Sequence, residues 1–304
     1  MLLHVAGRDP KEMVQEVRIS ACLVVRNEEA VIERCLTSLR GVVDEIILVH
    51  DGPCEDRTLE IAEPFGCRTF VRPLLGNPES HTVFAYEQAR GKWLLSPDAD
   101  EFLSDEMAAV IPELIARDDF AGWEFRSPLW DGKRYTKRGP YTLRLLRRAD
   151  TSLVGLLQSS EQVRGAIGRR EELLHHEPPY NNFSARSVFS KWRRWCRIQA
   201  LELTSPFADL PKFNYIGVNR WPWHRHVMNI CSPVLAVPNG MAHFALALIS
   251  AVRTRADLNV RIAFWQGVYA TMLQFYVARS VYIERPMRHI RAARQSRSGA
   301  GAQQ

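Results

Sequence analysis

The stretch Ile19-Ser20-Ala21-Cys22-Leu23-Val24-Val25-Arg26-Asn27-Glu28-Glu29 is an apolar run of strand length that ends abruptly in polar residues. Three more runs repeat the pattern: Glu45-Ile46-Ile47-Leu48-Val49-His50, Cys67-Arg68-Thr69-Phe70-Val71 and Lys92-Trp93-Leu94-Leu95-Ser96. Nearly continuous apolar strands are what a parallel sheet covered on both faces requires. Between them lie segments of helical period, Glu29 to Leu39, Arg57 to Phe65 and Ser80 to Ala89. A fourth helix is predicted from Ser104, an N-cap followed by Asp105 and Glu106, which suit the helix dipole. The repeated unit is βαβ, and the fold class is α/β, Rossmann-like. After Gly122 the aromatic and β-branched segments Trp123 to Trp130 and Tyr141 to Arg148 predict antiparallel or mixed strands added to that sheet.

The composition fits this reading. With 304 residues, 46% hydrophobic and 24% charged, the chain is neither disordered nor fibrous and can bury a core without metal or disulfide. The net charge of +6 hides an asymmetry: residues 1–130 carry 13 basic and 24 acidic side chains, residues 131–304 carry 27 and 10. A basic half suits phosphates, anionic headgroups or nucleic acid, and charge alone does not choose among them. The six cysteines are widely spaced, with no C-x-x-C pair, and read as reduced thiols. The N-terminus shows no secretory signal, and the longest apolar stretch, Met241 to Val252, is shorter than the roughly 20 residues of a spanning helix. The expected location is cytoplasmic, with peripheral contact on the inner face of the membrane.

From about Ser184 the chain reads as helical and basic-aromatic. Phe189, Lys191, Trp192, Arg193, Arg194, Trp195 and Arg197 form one cluster, and Trp221, Trp223, His224, Arg225 and His226 a second. Both suit an anionic bilayer surface, and both equally suit packing against the sheet with arginines reaching water. Phe264, Trp265, Tyr269, Met272, Phe275 and Tyr276 recur at largely helical intervals and predict core packing. Arg285, Arg288, Arg291, Arg294 and Arg297 spread round a helix and read as a solvated basic tail.

In an open parallel sheet, ligands bind beyond the carboxyl ends of the strands. There the sequence delivers Arg26-Asn27-Glu28-Glu29, then Asp51 with Asp56 and Thr58, then Pro97-Asp98-Ala99-Asp100-Glu101. Carboxylates gathered at one edge repel one another, and a divalent cation bridging a diphosphate would relieve that cost. The plain alternative for Asp98 and Asp100 is a solvated turn.

The order Val25-Arg26-Asn27-Glu28-Glu29, Val43-Asp44-Glu45-Ile46, Asp51 and Asp98-Ala99-Asp100-Glu101 resembles the family 2 glycosyltransferases of GT-A fold, closest to the bacterial branch that builds lipopolysaccharide core and other envelope glycans. The resemblance implies a GT-A domain, a mixed and mostly parallel sheet flanked by helices, over residues 18–183, with a nucleotide-binding half (18–105) and an acceptor half (106–183). An N-terminal extension (1–17), a helical basic-aromatic region (184–295) and a disordered tail (296–304) complete the expected organisation. It implies that Asp51 hydrogen-bonds the base, that Arg26, Asn27 and Glu28 border the nucleotide, that Asp98 lies near ribose and sugar, and that Asp100 ligates Mn²⁺ or Mg²⁺. The donor expected is a nucleotide-sugar, a UDP-sugar first, and the acceptor a glycan or lipid-linked glycan, with no nucleic acid. Gly52-Pro53-Cys54-Glu55-Asp56-Arg57 departs from the family's polar turn there.

Arg144-Leu145-Leu146-Arg147-Arg148, Gly155 to Val163 and Leu173-Leu174-His175-His176 resemble later family segments more weakly. Through them Glu161 becomes the candidate general base, although Ser160 replaces the usual His before it. His175 becomes a candidate metal ligand, and Arg144, with Arg147, a candidate for holding diphosphate. The alternatives are a surface Glu161 paired with Arg164, a structural His175-His176 pair, and arginines in salt bridges to the acidic half. Two other functions fit parts of the sequence. A non-catalytic membrane-surface or nucleic-acid-binding protein leaves the acidic strand ends without a role, and a nucleotidyltransferase fits the Arg26-Asn27-Glu28 strand end and Asp51 less well.

Overall fold

The computed structural model describes residues 17–76, 78–128, 130, 134–136, 139–154, 161–179, 192–205, 210–215, 231–253 and 260–284. The readings that involve Ser160, Phe189, Lys191, the Trp221 to His226 cluster, the Arg285 to Arg297 series and the two chain ends lie outside these residues.

The four apolar runs are strands β1 (Ile19–Val25), β2 (Glu45–Asp51), β3 (Arg68–Arg72) and β4 (Trp93–Leu95). They pair in parallel in the order β3-β2-β1-β4. The crossovers carry α1 (Ile32–Leu39), α2 (Thr58–Ala62) and α3 (Thr82–Gln88). β5 (Glu101–Leu103) leads into α4 (Asp105–Ile115), whose N-cap Ser104 accepts the Met107 N–H at 3.1 Å. Four strands follow in the second part of the domain: β6 (Gly122–Arg126), β7 (Tyr141–Arg147), β8 (Thr151–Val154) and β9 (Gln162–Val163). Then come β10 (Ile167–His176), α5 (Arg193–Thr204), β11 (Lys212–Phe213), α6 (Ser232–Arg253) and α7 (Val260–Arg279). β7 joins β4 antiparallel, so the large sheet reads β3-β2-β1-β4-β7-β6-β10-β5, and β11-β8-β9 forms a small second sheet.

Strand parity divides the core. The odd residues of β1, Ile19, Ala21, Leu23 and Val25, face α1 and α4, where Ile32, Cys35, Leu36 and Leu39 repeat at i, i+3, i+4 and i+7. Cys22, Ile47 and Val49 face the other way, onto Val83, Ala85 and Tyr86 of α3 and Phe213 of β11. Each fully buried Leu or Ile contributes about 1.5–3 kcal/mol over its exposed state. All six cysteines are free thiols, and burial pushes the Cys67 thiol up to about 11 and Cys196 to about 12, as expected of unreactive packing groups.

At the opposite end from the strand tips, Glu45 holds the sheet's entry. Its carboxylate accepts from the Ser20 hydroxyl at 2.7 Å, the Arg90 N–H at 2.8 Å and Arg68 at 2.9 Å. Burial alone would raise its pKa, but these hydrogen bonds outweigh burial and hold it at about 2, below the ordinary 4.5. A depressed folded-state pKa stabilises above the unfolded value, and that stability is lost as pH falls from about 4.5 to about 2. Glu45→Gln is therefore expected to cost on the order of 2 kcal/mol at pH 7, with the difference closing under acid. Urea unfolding of both proteins across that pH range measures it.

Two expectations for the C-terminal region change. Tyr269 and Tyr276 of α7 do pack: Tyr269 meets Trp192 edge-on at 5.3 Å, and the Tyr276 hydroxyl accepts from Arg193 at 3.1 Å. Phe264 and Phe275 do not join a core, being 52% and 54% exposed. Eleven residues is about three helical turns, so these two share one exposed face of α7. The apolar segment is also longer than Met241 to Val252, because the helix runs through Pro238, Asn239 and Gly240 from Ser232 to Arg253.

Candidate active site

The carboxyl ends of β1 and β2 form one half of the site. Asn27 adopts a left-handed backbone, φ 53°, which its short polar side chain tolerates. Its N–H donates to His50 Nε2 at 3.3 Å, while Nδ1 of the same buried ring donates to the Gly52 carbonyl at 2.7 Å, which sets a neutral tautomer. Asn27 and Glu55 exchange hydrogen bonds of 3.1 and 3.0 Å. Asp56 is a scaffold residue: its carboxylate accepts from the Thr58 hydroxyl at 2.6 Å and the Glu29 N–H at 3.0 Å, and Thr58 in turn accepts the Glu28 N–H at 2.6 Å. Burial raises its pKa, but these bonds prevail and the carboxyl lies below its ordinary value. Gly52, at φ +83°, has Leu74 where a Cβ would stand, 2.9 Å away, so the departing turn still needs glycine at this position.

Asp51 is fully buried. One carboxylate oxygen accepts from the Leu75 N–H at 2.6 Å and His81 Nε2 at 3.1 Å. The other, Oδ2, is buried without a hydrogen-bond partner, with Arg26 at 3.9 Å. An unsatisfied buried carboxylate oxygen is costly, and a ligand N–H aimed at it would remove that cost.

The other half is built by β4, β5, β7 and β10. Arg144 on β7 donates to Asp98 at 2.6 Å and to Glu101 at 2.7 Å. Burial opposes the guanidinium charge, but Asp98 and Glu101 hold its pKa well above the ordinary value. Glu101 is itself pushed up to about 7 by burial, with Arg144 pulling it down and Asp98 adding to the rise. Arg147 is not its companion: three residues along a strand is the opposite face, and Arg147 bonds the Asp118 and Phe120 carbonyls instead. The reading of Arg144 as a salt-bridge partner of the acidic half thus holds in the structure, at the site itself. Its side chain is 16% exposed and that of Glu101 4%, so Arg144→Met, which strands a buried carboxylate, is expected to cost about 3–5 kcal/mol. Adding Glu101→Gln should recover most of it, as read by urea unfolding.

β10 pairs in parallel with β6, then shifts register between Arg170 and Leu173. That irregularity lets its end pair antiparallel with β5, setting His175 opposite Phe102 and His176 opposite Glu101. His176 Nε2 therefore lies 3.3 Å from Asp100 Oδ2. Burial lowers the His176 pKa, but the hydrogen bond and charge of Asp100, with Glu101 and Asp98, prevail and leave it raised. His175, the expected metal ligand, stacks on Phe102 at 4.6 Å and near Tyr135 at 5.3 Å, and burial lowers its pKa. The imidazole beside Asp100 belongs to its neighbour because strand period 2 sends adjacent residues to opposite faces. Among the described residues, no three His, Cys, Asp or Glu side chains cluster as a metal site. Asp100 and His176 are a pair of one carboxylate and one imidazole, donors that suit a divalent ion completed by ligand oxygens.

Glu161 lies just before β9 and accepts the Tyr86 hydroxyl at 2.7 Å. Arg164 bonds the Ala149 carbonyl and is not its partner. Tyr86 is fully buried, its ring edge-on to Phe213 at 5.5 Å, and burial drives its pKa well above the ordinary value, with the Glu161 charge adding to the rise. The charge of Glu161 also reaches Arg144, which ties it to the Asp98 cluster. Sequence reasoning missed His50, His81, Tyr86 and His176. Of these His176 had a signal, the alternation of β10, whereas the contacts of His81 and Tyr86 span 30 and 75 residues.

Residues 20–176, just over half of the sequence, match the profile of Glycosyl transferase family 2, and the chain belongs to that family. It is similar to an uncharacterized glycosyltransferase of Rickettsia bellii, 38% identical over 99 residues, which are 33% of each chain. It is also similar to the lipopolysaccharide core biosynthesis glycosyltransferase LpsC of Rhizobium meliloti, 31% identical over 184 residues, covering 55% of this chain and 66% of that one. The matched part spans about a third of the length of the Rickettsia relative. Among solved structures, glucosyl-3-phosphoglycerate synthase from Mycobacterium tuberculosis, in complex with Mn²⁺, UDP and glucosyl-3-phosphoglycerate, is similar at 16% identity and a TM-score of 0.39, covering 54% of this chain and 73% of that chain.

Proposed function

We propose that the protein is a metal-dependent, inverting glycosyltransferase that moves a sugar from a nucleotide-sugar, a UDP-sugar first, to a glycan or lipid-linked acceptor of the cell envelope. The observation that carries this reading is the meeting of Asp100 and His176 at 3.3 Å, with Arg144 clamping the neighbouring Asp98, in a sheet whose β2 ends at Asp51. Family membership and the name of the Rhizobium relative support the transfer and the envelope acceptor.

Asp51 Oδ2 would accept an N–H of the base, with Arg26 and Asn27 bordering the nucleotide and Asp98 the ribose and sugar. Asp100 and His176 would hold Mn²⁺ or Mg²⁺. Bound there, the ion supplies charge stabilisation to the departing diphosphate. Glu161, oriented by Tyr86, would take the proton from the acceptor hydroxyl as its oxygen bonds the anomeric carbon. The bond from that carbon to the diphosphate breaks, and the nucleoside diphosphate leaves.

A thermal-shift panel of UDP, GDP, CDP and TDP, each with and without Mn²⁺, tests the donor site. One diphosphate should stabilise the protein weakly by itself and more strongly with the metal, where a hundredfold excess over Kd adds about 2.7 kcal/mol of stability. No stabilisation by any of the four would overturn the reading.

A further inference from the structure

Helices α6 and α7 form an antiparallel hairpin. Gly240 lies against Thr271 and Gly267 against Phe244, and the two glycines meet backbone to backbone: a Cβ on Gly240 would stand 2.7 Å from the Gly267 carbonyl. Close approach through small residues is how helices associate where no hydrophobic force drives them together. Among the described elements α6 packs chiefly on α7, and α7 in turn on α5.

The outer face of the hairpin is apolar and uncovered. Val234, Val237, Met241, Leu246 and Ile249 are 78%, 55%, 68%, 61% and 47% exposed, and Phe264 and Phe275 of α7 extend the surface. His243 is an exposed polar side chain of α6 within this face. Within it, Ser232–Ile249 is long and apolar enough to cross a membrane, yet only 17% buried, unlike the core helix of a globular domain. From Val227 to Val252 the sequence has no Asp, Glu, Lys or Arg. α6, the one helix among the described residues that is long and apolar enough to span, reaches about 33 Å over its 22 residues, close to the roughly 30 Å hydrocarbon core of a bilayer, and α7, with Arg261 and Arg279 near its ends, lies along it. In the sequence between and at the start of these helices, Arg253, Arg255 and Arg261 stand against one acidic residue, Asp257, and Arg193, Arg194 and Arg197 are exposed on α5, within a half of the chain that carries 27 basic and 10 acidic residues.

We infer that the α6–α7 hairpin inserts into a lipid bilayer bearing anionic headgroups and anchors the sheet domain to it. The inference stands on exposure, length and charge, and is independent of the donor site.

Flotation of the full chain with vesicles of phosphatidylcholine and a minority of phosphatidylglycerol, at low and high salt, tests it. The wild type is expected to float at both, because inserted apolar surface is not screened. Leu246→Glu/Ile249→Glu should cut the floated fraction about tenfold or more, since charges in the hydrocarbon are strongly unfavourable. Phe275→Glu should act in the same direction, and each variant is first checked for an unchanged thermal transition of the sheet domain. If neither variant keeps that transition, salt-resistant flotation of the wild type supports insertion by itself. Flotation only at low salt would mean adsorption and overturn it. A wild type that stays unbound, or dimerises through this face instead of floating, would overturn it too.

Discussion

Asp100→Asn is expected to lower turnover about 10³-fold and to abolish the metal-dependent part of nucleoside diphosphate binding. Asp100 and His176 are the two donors that meet, so an amide in place of the carboxylate removes the only anionic ligand of the pair. The loss should appear as a vanished Mn²⁺ dependence in the thermal-shift panel, while metal-free binding through Asp51 persists. Stability should change little, because Asp100 keeps 18% of its side chain exposed and its main-chain bond to Glu177 does not depend on the side chain. Unaltered metal-dependent binding by the variant would remove Asp100 from the site. His176→Ala with the same outcome would remove the pair.

The second large effect is expected at Glu161. Glu161→Gln keeps the shape and the hydrogen bond from Tyr86 but cannot accept a proton, so kcat should fall by about 10²–10⁴-fold with the donor Kd unchanged. Tyr86→Phe separates orientation from proton transfer. It leaves the carboxylate in place without its anchor, and a smaller fall in kcat with a rise in acceptor KM is expected, along with a stability loss of about 1 kcal/mol for the missing hydrogen bond. Steady-state kinetics with the donor identified by the panel measures both. A Glu161→Gln variant as active as the wild type would move the base elsewhere.

Much of this was legible from residues alone. The four apolar runs became β1 to β4, each within a residue or two of its expected limits. β1, β2 and β4 are buried as their unbroken apolar signature implies, whereas β3, expected to be covered on both faces, is the edge strand and leaves Val71 exposed. Ser104 caps α4 as its residue type and the acidic first turn imply. Asp51, Asp98 and Asp100 stand at strand ends for the same local reason, since the polar residue that ends a buried strand is where the chain leaves the sheet. The short strands β5, β8, β9 and β11 were not legible, having two to four residues each and no periodicity to read.

What the sequence by itself determined is the α/β framework and which edge of it carries the carboxylates, since both follow from periodicity within a few residues. Only the tertiary structure decided which side chains those carboxylates meet. His176 reaches Asp100 across 76 positions, Arg144 reaches Asp98 across 46, and Tyr86 reaches Glu161 across 75. Register and a strand irregularity set those meetings, and neither leaves a local trace. The same holds for the hairpin: its residues announce an apolar helix, but whether that face is buried in protein or turned outward depends on what packs against it, and among the described elements α6 packs chiefly on α7, leaving Val234, Met241 and Leu246 exposed.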